Sequence, residues 1–149
     1  MKEMLKNEIA RELELREKYA EARKNNDEAE KQAIRKAHME LKGEILEQGN
    51  GYHRVFELGL EAAERGNEYI DIHDCLYDQD VAPLLDSLRE AGAERITFSS
   101  TWSSSAEIGW LFLQNGCKLE GMVEVNGDFR YDFDGNGYFE KRHGYLYSL

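Results

Sequence analysis

The 149-residue sequence has one proline, two cysteines and four histidines, and each scarcity removes a class of protein. Cys75 and Cys117 are too few for a disulfide scaffold and read as reduced thiols. His38, His53, His73 and His143 form neither an HExxH motif nor a His/Cys spacing typical of zinc. No apolar run approaches the roughly 18 to 20 residues that a membrane-spanning helix needs. The chain turns charged directly after Met1, at Lys2 and Glu3, with no apolar signal core there, so the expectation is a cytoplasmic protein. No Gly-x-Ser-x-Gly elbow supports hydrolase chemistry, and no motif implies a cofactor. What is present is a 41% hydrophobic and 11% aromatic composition, enough for a packed core.

Charge is distributed unevenly. The net charge is −11. Residues 1–66 hold 13 basic and 15 acidic side chains, whereas residues 67–149 hold 6 basic and 15 acidic, a net of −9. The second part repels a phosphate backbone, which argues against direct nucleic-acid binding. It is drawn instead to basic surfaces, including those with which other proteins hold DNA or RNA.

The spacing of apolar residues predicts an α/β (α+β) chain in two parts, a helical hairpin over 1–48 and an acidic α/β domain over 49–149. Leu5, Ile9, Leu13, Leu15, Tyr19 and Ala22 recur at helical spacing, and Glu14 and Lys18 can pair at i,i+4. Asn25-Asn26-Asp27 is a turn and cap, followed by a second stripe of Ala29, Ala33, Ile34, Ala37, Leu41 and Ile45. Two such narrow stripes need a further surface, either the rest of the chain or a second subunit, so a homodimer through the hairpin is one expectation. A third helix spans about His53 to Arg65 and stops at Gly66. Beyond it, strands are expected at Tyr69–Ile72, Arg95–Phe98 and Leu119–Val125, with helices at Asp80–Ala91 and Ser103–Asn115. The single proline, Pro83, falls in the first turn of its helix on this reading. Strand–helix alternation implies a small, three-layer-like domain with a mostly parallel central sheet, and the Gly-, Asp- and Tyr-rich tail from Gly127 reads as a C-terminal β-hairpin.

Three groups of residues carry candidate chemistry. His73-Asp74-Cys75 lies at the end of the first strand, where α/β sheets tend to place ligands. The carboxylates of Asp71, Asp74, Asp78 and Asp80 oppose a thiolate nucleophile at Cys75, so His73 reads as held by structural hydrogen bonds. The hydroxyls of Ser99 to Ser105 are placed to cap the next helix and to line a polar pocket beside Trp102, an expected interface anchor. Asp132, Asp134 and Asn136, followed by Gly137, match the first half of a calcium loop. The twelfth position holds His143 instead of an acid, and the same residues suit a hairpin turn.

The order of elements from Tyr69 to Val125, and the stretch Leu111-Phe112-Leu113-Gln114-Asn115-Gly116-Cys117-Lys118-Leu119-Glu120-Gly121 in particular, resembles the C-terminal half of GNAT-type N-acetyltransferases. That resemblance implies a pyrophosphate loop where this sequence has Asp74 to Asp80, with three carboxylates and no glycine, and an acidic tyrosine where it has Phe112. It therefore implies the scaffold without the chemistry. Ile72-His73-Asp74, Phe98 to Ser104 and His143-Gly144-Tyr145 resemble landmarks of small proteins of Firmicutes phages and conjugative elements, which implies an anti-CRISPR or other anti-defence role. The combined expectation is a non-catalytic acidic inhibitor. It would occupy a basic, nucleic-acid-binding surface, such as that of a CRISPR nuclease, through Asp74, Asp78, Asp80, Trp102, Asp128, Asp132 and Asp134. The rival is an acetyltransferase-like or small-ligand enzyme using the strand ends near His73 and Ser99.

Overall fold

A computed structural model describes residues 1–149. The chain is an α+β protein: helices α1 (Glu3–Lys24), α2 (Glu28–Glu47) and α3 (Asn50–Arg65) precede β1 (Ile70–Ile72), α4 (Asp78–Glu90), β2 (Arg95–Phe98), α5 (Ser105–Gln114), β3 (Lys118–Tyr131) and β4 (Gly137–Ser148). The α1–α2 turn forms as its residues dictate. Asn26 takes a positive φ of 53°, and the Asp27 carboxylate accepts the Glu30 N–H at 3.0 Å. Glu14 pairs with Lys18 at 2.6 Å, and Arg11 ties α1 to Glu44 of α2 at 2.9 Å.

The further surface that the hairpin needs is α3. Leu5 and Ile9 of α1 and Leu41 and Ile45 of α2 join Val55, Phe56 and Leu60 of α3 in one apolar cluster of 21 buried residues, which continues into the sheet and α4 and α5. The core therefore runs straight through the 48/49 boundary expected from sequence. Gly59 permits the approach of α1 to α3, since a Cβ there would sit 2.7 Å from Ile9 Cδ1. α4 begins two residues earlier than expected, so Pro83 lies in its second turn, not its first. It withholds an N–H from the Gln79 carbonyl on an exposed face, a tolerable place for the loss.

The sheet order is β1-β2-β4-β3. β1 and β2 pair in parallel, with Ile70 beside Ile96 and Ile72 beside Phe98. β4 pairs antiparallel with both β2 and β3. The three strands expected from sequence therefore do run in one direction, but β4 inserts between β2 and β3, so the sheet is mixed and only one of its pairings is parallel. Phe112 of α5 anchors one face, edge-on to Phe98 at 5.1 Å and to Tyr147 at 5.3 Å. β3 is longer than expected because the tail hairpin is its own continuation: β3 and β4 form one ribbon, bent by register shifts at Leu119/Gly121 and Asn126/Phe129.

Candidate functional site

Alternation along β1 puts Ile70 and Ile72 in the core and turns Asp71 to the other face. Asp71 is buried and accepts hydrogen bonds from Thr97 Oγ1 at 2.8 Å and Ser99 Oγ at 2.6 Å, both of β2 or its end and both buried. This satisfied trio locks the ends of the two parallel strands together. Just beyond it, His73 points Nε2 at Glu61 Oε1 (3.6 Å) and Asp74 Oδ1 (3.5 Å). Its Nδ1 is buried with no partner, so the expected structural hydrogen bonds to His73 are absent on that side. Glu57 and Glu61 of α3, His73, Asp74 and Cys75 surround a cleft of about 440 Å³.

The serine run behaves differently from the cap expected. No side chain caps α5 at Ser104. Ser99 donates to Asp71, and Ser100 Oγ accepts the Trp102 N–H at 3.4 Å. Trp102 is exposed, as an anchor would be. A second cleft, also about 440 Å³, opens between this loop, α5 and β4, with Ser99, Trp110, His143 and Tyr145 in its walls. The two clefts share no residue, so the strand-end pocket envisaged at His73 and Ser99 is two separate sites.

The seven acidic-face residues also divide. Asp74 is exposed in the loop after β1, and Asp78 and Asp80 stand in the first turn of α4, where the helix dipole favours negative charge. Asp128 is half-exposed but engaged by its own chain: its two oxygens accept from Arg65 at 3.2 Å and Arg142 at 2.8 Å. Asp132 is the hub of the β3–β4 turn. Its Oδ1 accepts the N–H groups of Asp134 (2.9 Å) and Asn136 (2.8 Å), and its Oδ2 accepts from the Asn136 amide at 3.1 Å. These bonds, led by the Asn136 N–H, hold its carboxyl below the usual range. Asp132 and Asn136 are thus bonded to each other and close a turn, and the chain has no group of three or more His, Cys, Asp or Glu side chains arranged to hold a metal ion. Asp134 is exposed beside them. No hydrogen bond or ion pair joins Asp74, Asp78 or Asp80 to the Asp128–Asp134 group.

The residues that the charge-based reading overlooks lie on that same ribbon. Phe129, Tyr131, Phe133 and Tyr138 are all exposed, Tyr131 by 71% and Phe133 completely. Phe129 meets Tyr131 and Phe139 edge-on at 5.2 and 5.3 Å, and its ring lies over Gly137, where a Cβ would stand 2.2 Å from it and oblige the ring to shift. The i, i+2 spacing of Phe129 and Tyr131 was the available signal, since alternate strand residues share a face, whereas Phe133 stands in the turn beyond β3 and Tyr138, opposite Arg130, lies on the other face of the ribbon. The ribbon does not hang free behind this platform. Asn67 donates to the Asn126 carbonyl at 3.0 Å and accepts its N–H at 2.7 Å, while the Asn126 amide caps the Arg65 carbonyl at 2.6 Å. The mid-ribbon is therefore clamped to the C-terminus of α3.

Among known protein families, residues 54–149 match the domain of unknown function DUF7698. No curated protein and no solved structure matches the chain. The match opens inside α3 and takes in the clamp, both clefts and the entire sheet, and the chain belongs to the DUF7698 family.

Proposed function

We propose that the protein acts by binding another protein, through the aromatic outer half of the β3–β4 ribbon. The observation that carries this reading is the exposure of Phe129 and Tyr131 on one face and of Phe133 at the tip of a ribbon clamped at its base by Asn67 and Asn126. Exposed aromatics on a rigid support are favoured interface anchors, because they bury much area for little lost side-chain freedom. The −9 carried by residues 67–149 gives the partner its chemistry, a basic surface. In its narrower form the reading is an inhibitor that covers the nucleic-acid-binding surface of a target such as a CRISPR nuclease. Asp78, Asp80 and Asp134, with the exposed Asp74 beside His73, carry the long-range attraction, and Trp102 is a second apolar contact.

The test is capture from a bacterial lysate on the immobilised chain, at low and high salt, beside the double variant Tyr131→Ser, Phe133→Ser. The expected result is a nucleic-acid-binding protein retained at low salt, released at high salt and lost on the variant. Neutralising Asp74, Asp78 and Asp80 to asparagine should flatten the salt dependence. Equal recovery on the wild-type and variant chains would sink the reading.

A second reading, a small-ligand site at the strand ends, is favoured by the His73 cleft, where a buried Nδ1 has no partner. A thermal-shift screen of small cationic and neutral compounds on the chain and on His73→Ala separates it: stabilisation that the variant loses would support a ligand there.

A further inference from the structure

His143, Tyr145 and Tyr147 alternate along β4 and turn to the α5 side of the sheet, where Phe98 of β2 and Trp110 of α5 complete the second cleft of about 440 Å³. That volume falls inside the roughly 300–1,000 Å³ of small-molecule sites. The floor of the cleft carries an unmet polar group. Tyr147 is only 4% exposed and its ring stands edge-on to Phe112, yet its hydroxyl forms no hydrogen bond within the chain. The hydroxyl lies beneath Gly109 of α5, where a Cβ would stand 3.1 Å from Oη and roof it over. Tyr147 and Gly109 both face the cleft, so the bare helix backbone leaves that hydroxyl open to whatever the cleft holds. Burial pushes the Tyr147 pKa above the usual tyrosine value, which keeps the proton in place to be donated at neutral pH.

The walls add donors but no charge. The Ala106 N–H in the first turn of α5 has no acceptor in the chain, and Ser100, Thr101 and Ser105 set hydroxyls around the rim. None of the residues around the cleft is Asp, Glu, Lys or Arg, in a chain where those types make up 33%. A cation there meets no counter-ion. An anion meets acids close behind the walls: Asp71 accepts from Ser99 at 2.6 Å, Glu107 stands in the first turn of α5, and Glu124 pairs in register with His143. Trp110 and Tyr145, 60% and 52% exposed, supply flat apolar surface. We infer that this cleft binds an uncharged, flat aromatic compound whose carbonyl or ring-nitrogen acceptor takes a hydrogen bond from the Tyr147 hydroxyl. Such a ligand satisfies a group whose burial otherwise costs free energy, and it brings no charge that must be stripped of water. The site shares no residue with the His73 cleft.

The experiment is an NMR titration of the whole, isotope-labelled chain with naphthamide, beside its carboxylate counterpart naphthoate and its amine counterpart naphthylmethylamine. Naphthamide should give saturable shifts at the Trp110 indole N–H and at the Ala106 and Gly109 amides. The two charged probes should bind roughly tenfold more weakly, because a charge buried without a counter-ion costs more than a lost hydrogen bond. Tyr147→Phe should weaken naphthamide binding about fivefold, the worth of one hydrogen bond, and should hold or raise the melting temperature, since only the unmet hydroxyl is removed. Gly109→Ala, which covers that hydroxyl and leaves Tyr147 intact, should weaken binding as well. The absence of a saturable shift at the cleft overturns the inference. So does equal affinity for the three probes, or an affinity that neither variant changes.

Discussion

The two halves of the β3–β4 ribbon are one pair of strands in two environments. The inner half lies against β2 and α5 and buries Tyr147, whose ring meets Phe112; the outer half carries rings of similar size into water. Between them sit the Asn67–Asn126 clamp and a register shift. The difference teaches that a strand's aromatic content says nothing about burial until its neighbours are known. The inner rings hold the fold, and the outer rings are free to hold something else. The same division separates the acids of the ribbon, because Asp128 and Asp132 bind their own chain through their carboxylates while Asp134 stays exposed.

Substitutions along the ribbon sharpen or break this contrast. The largest effect is expected from Tyr147→Ala, which removes a buried ring and should cost about 3 kcal/mol or more, read by urea unfolding. A small loss there would mean that the inner half is not the structural one. Asn67→Ala should cost about 1–3 kcal/mol, since it strands the Asn126 N–H and carbonyl. Amide exchange at Asn126 should accelerate beyond that of the inner ribbon. The turn should respond to acid through Asp132. Its pKa is lowered in the folded chain, chiefly by the Asn136 N–H, so its contribution is present at neutral pH and fades as pH falls below about 4, the ordinary aspartate range. An NMR titration should show the Asp134 and Asn136 amides shifting in that window, and Asp132→Ala should abolish the response. The smallest effect is Phe133→Ser, expected to alter stability by no more than about 0.5 kcal/mol. A larger cost would show that the outer rings are structural after all.

Local chemistry made the helices and their stops readable in the sequence. Asp27 caps α2 and Gly66 ends α3 at φ 68°, both signals confined to a few residues. The span Arg95–Phe98 of β2 was readable for the same reason. Pairing was not. Nothing near Gly137 reveals that β4 will slot between β2 and β3, because that choice depends on contacts with Phe98 and Met122 far back in the chain. Of the candidate site, the exposure of Trp102, Asp74 and Asp78 was foreseeable from composition. The capture of Asp128 by Arg65, and the Asn67–Asn126 clamp, were not, since each joins residues about sixty positions apart. The aromatic alternation of Phe129 and Tyr131 is masked in the sequence by the charged residues set among the rings, Arg130, Asp132 and Asp134.

The interior position of β4 also bears on how the molecule reaches its folded state. β2 and β3 are not neighbours, so β3 has no partner strand until β4 arrives, and β2 has only the three-residue β1. Helices can form early, but the sheet cannot grow strand by strand in chain order. The ribbon has to close on itself and then dock against β2, a pairing across roughly fifty residues, so the rate of folding should be limited by this late search rather than by helix formation.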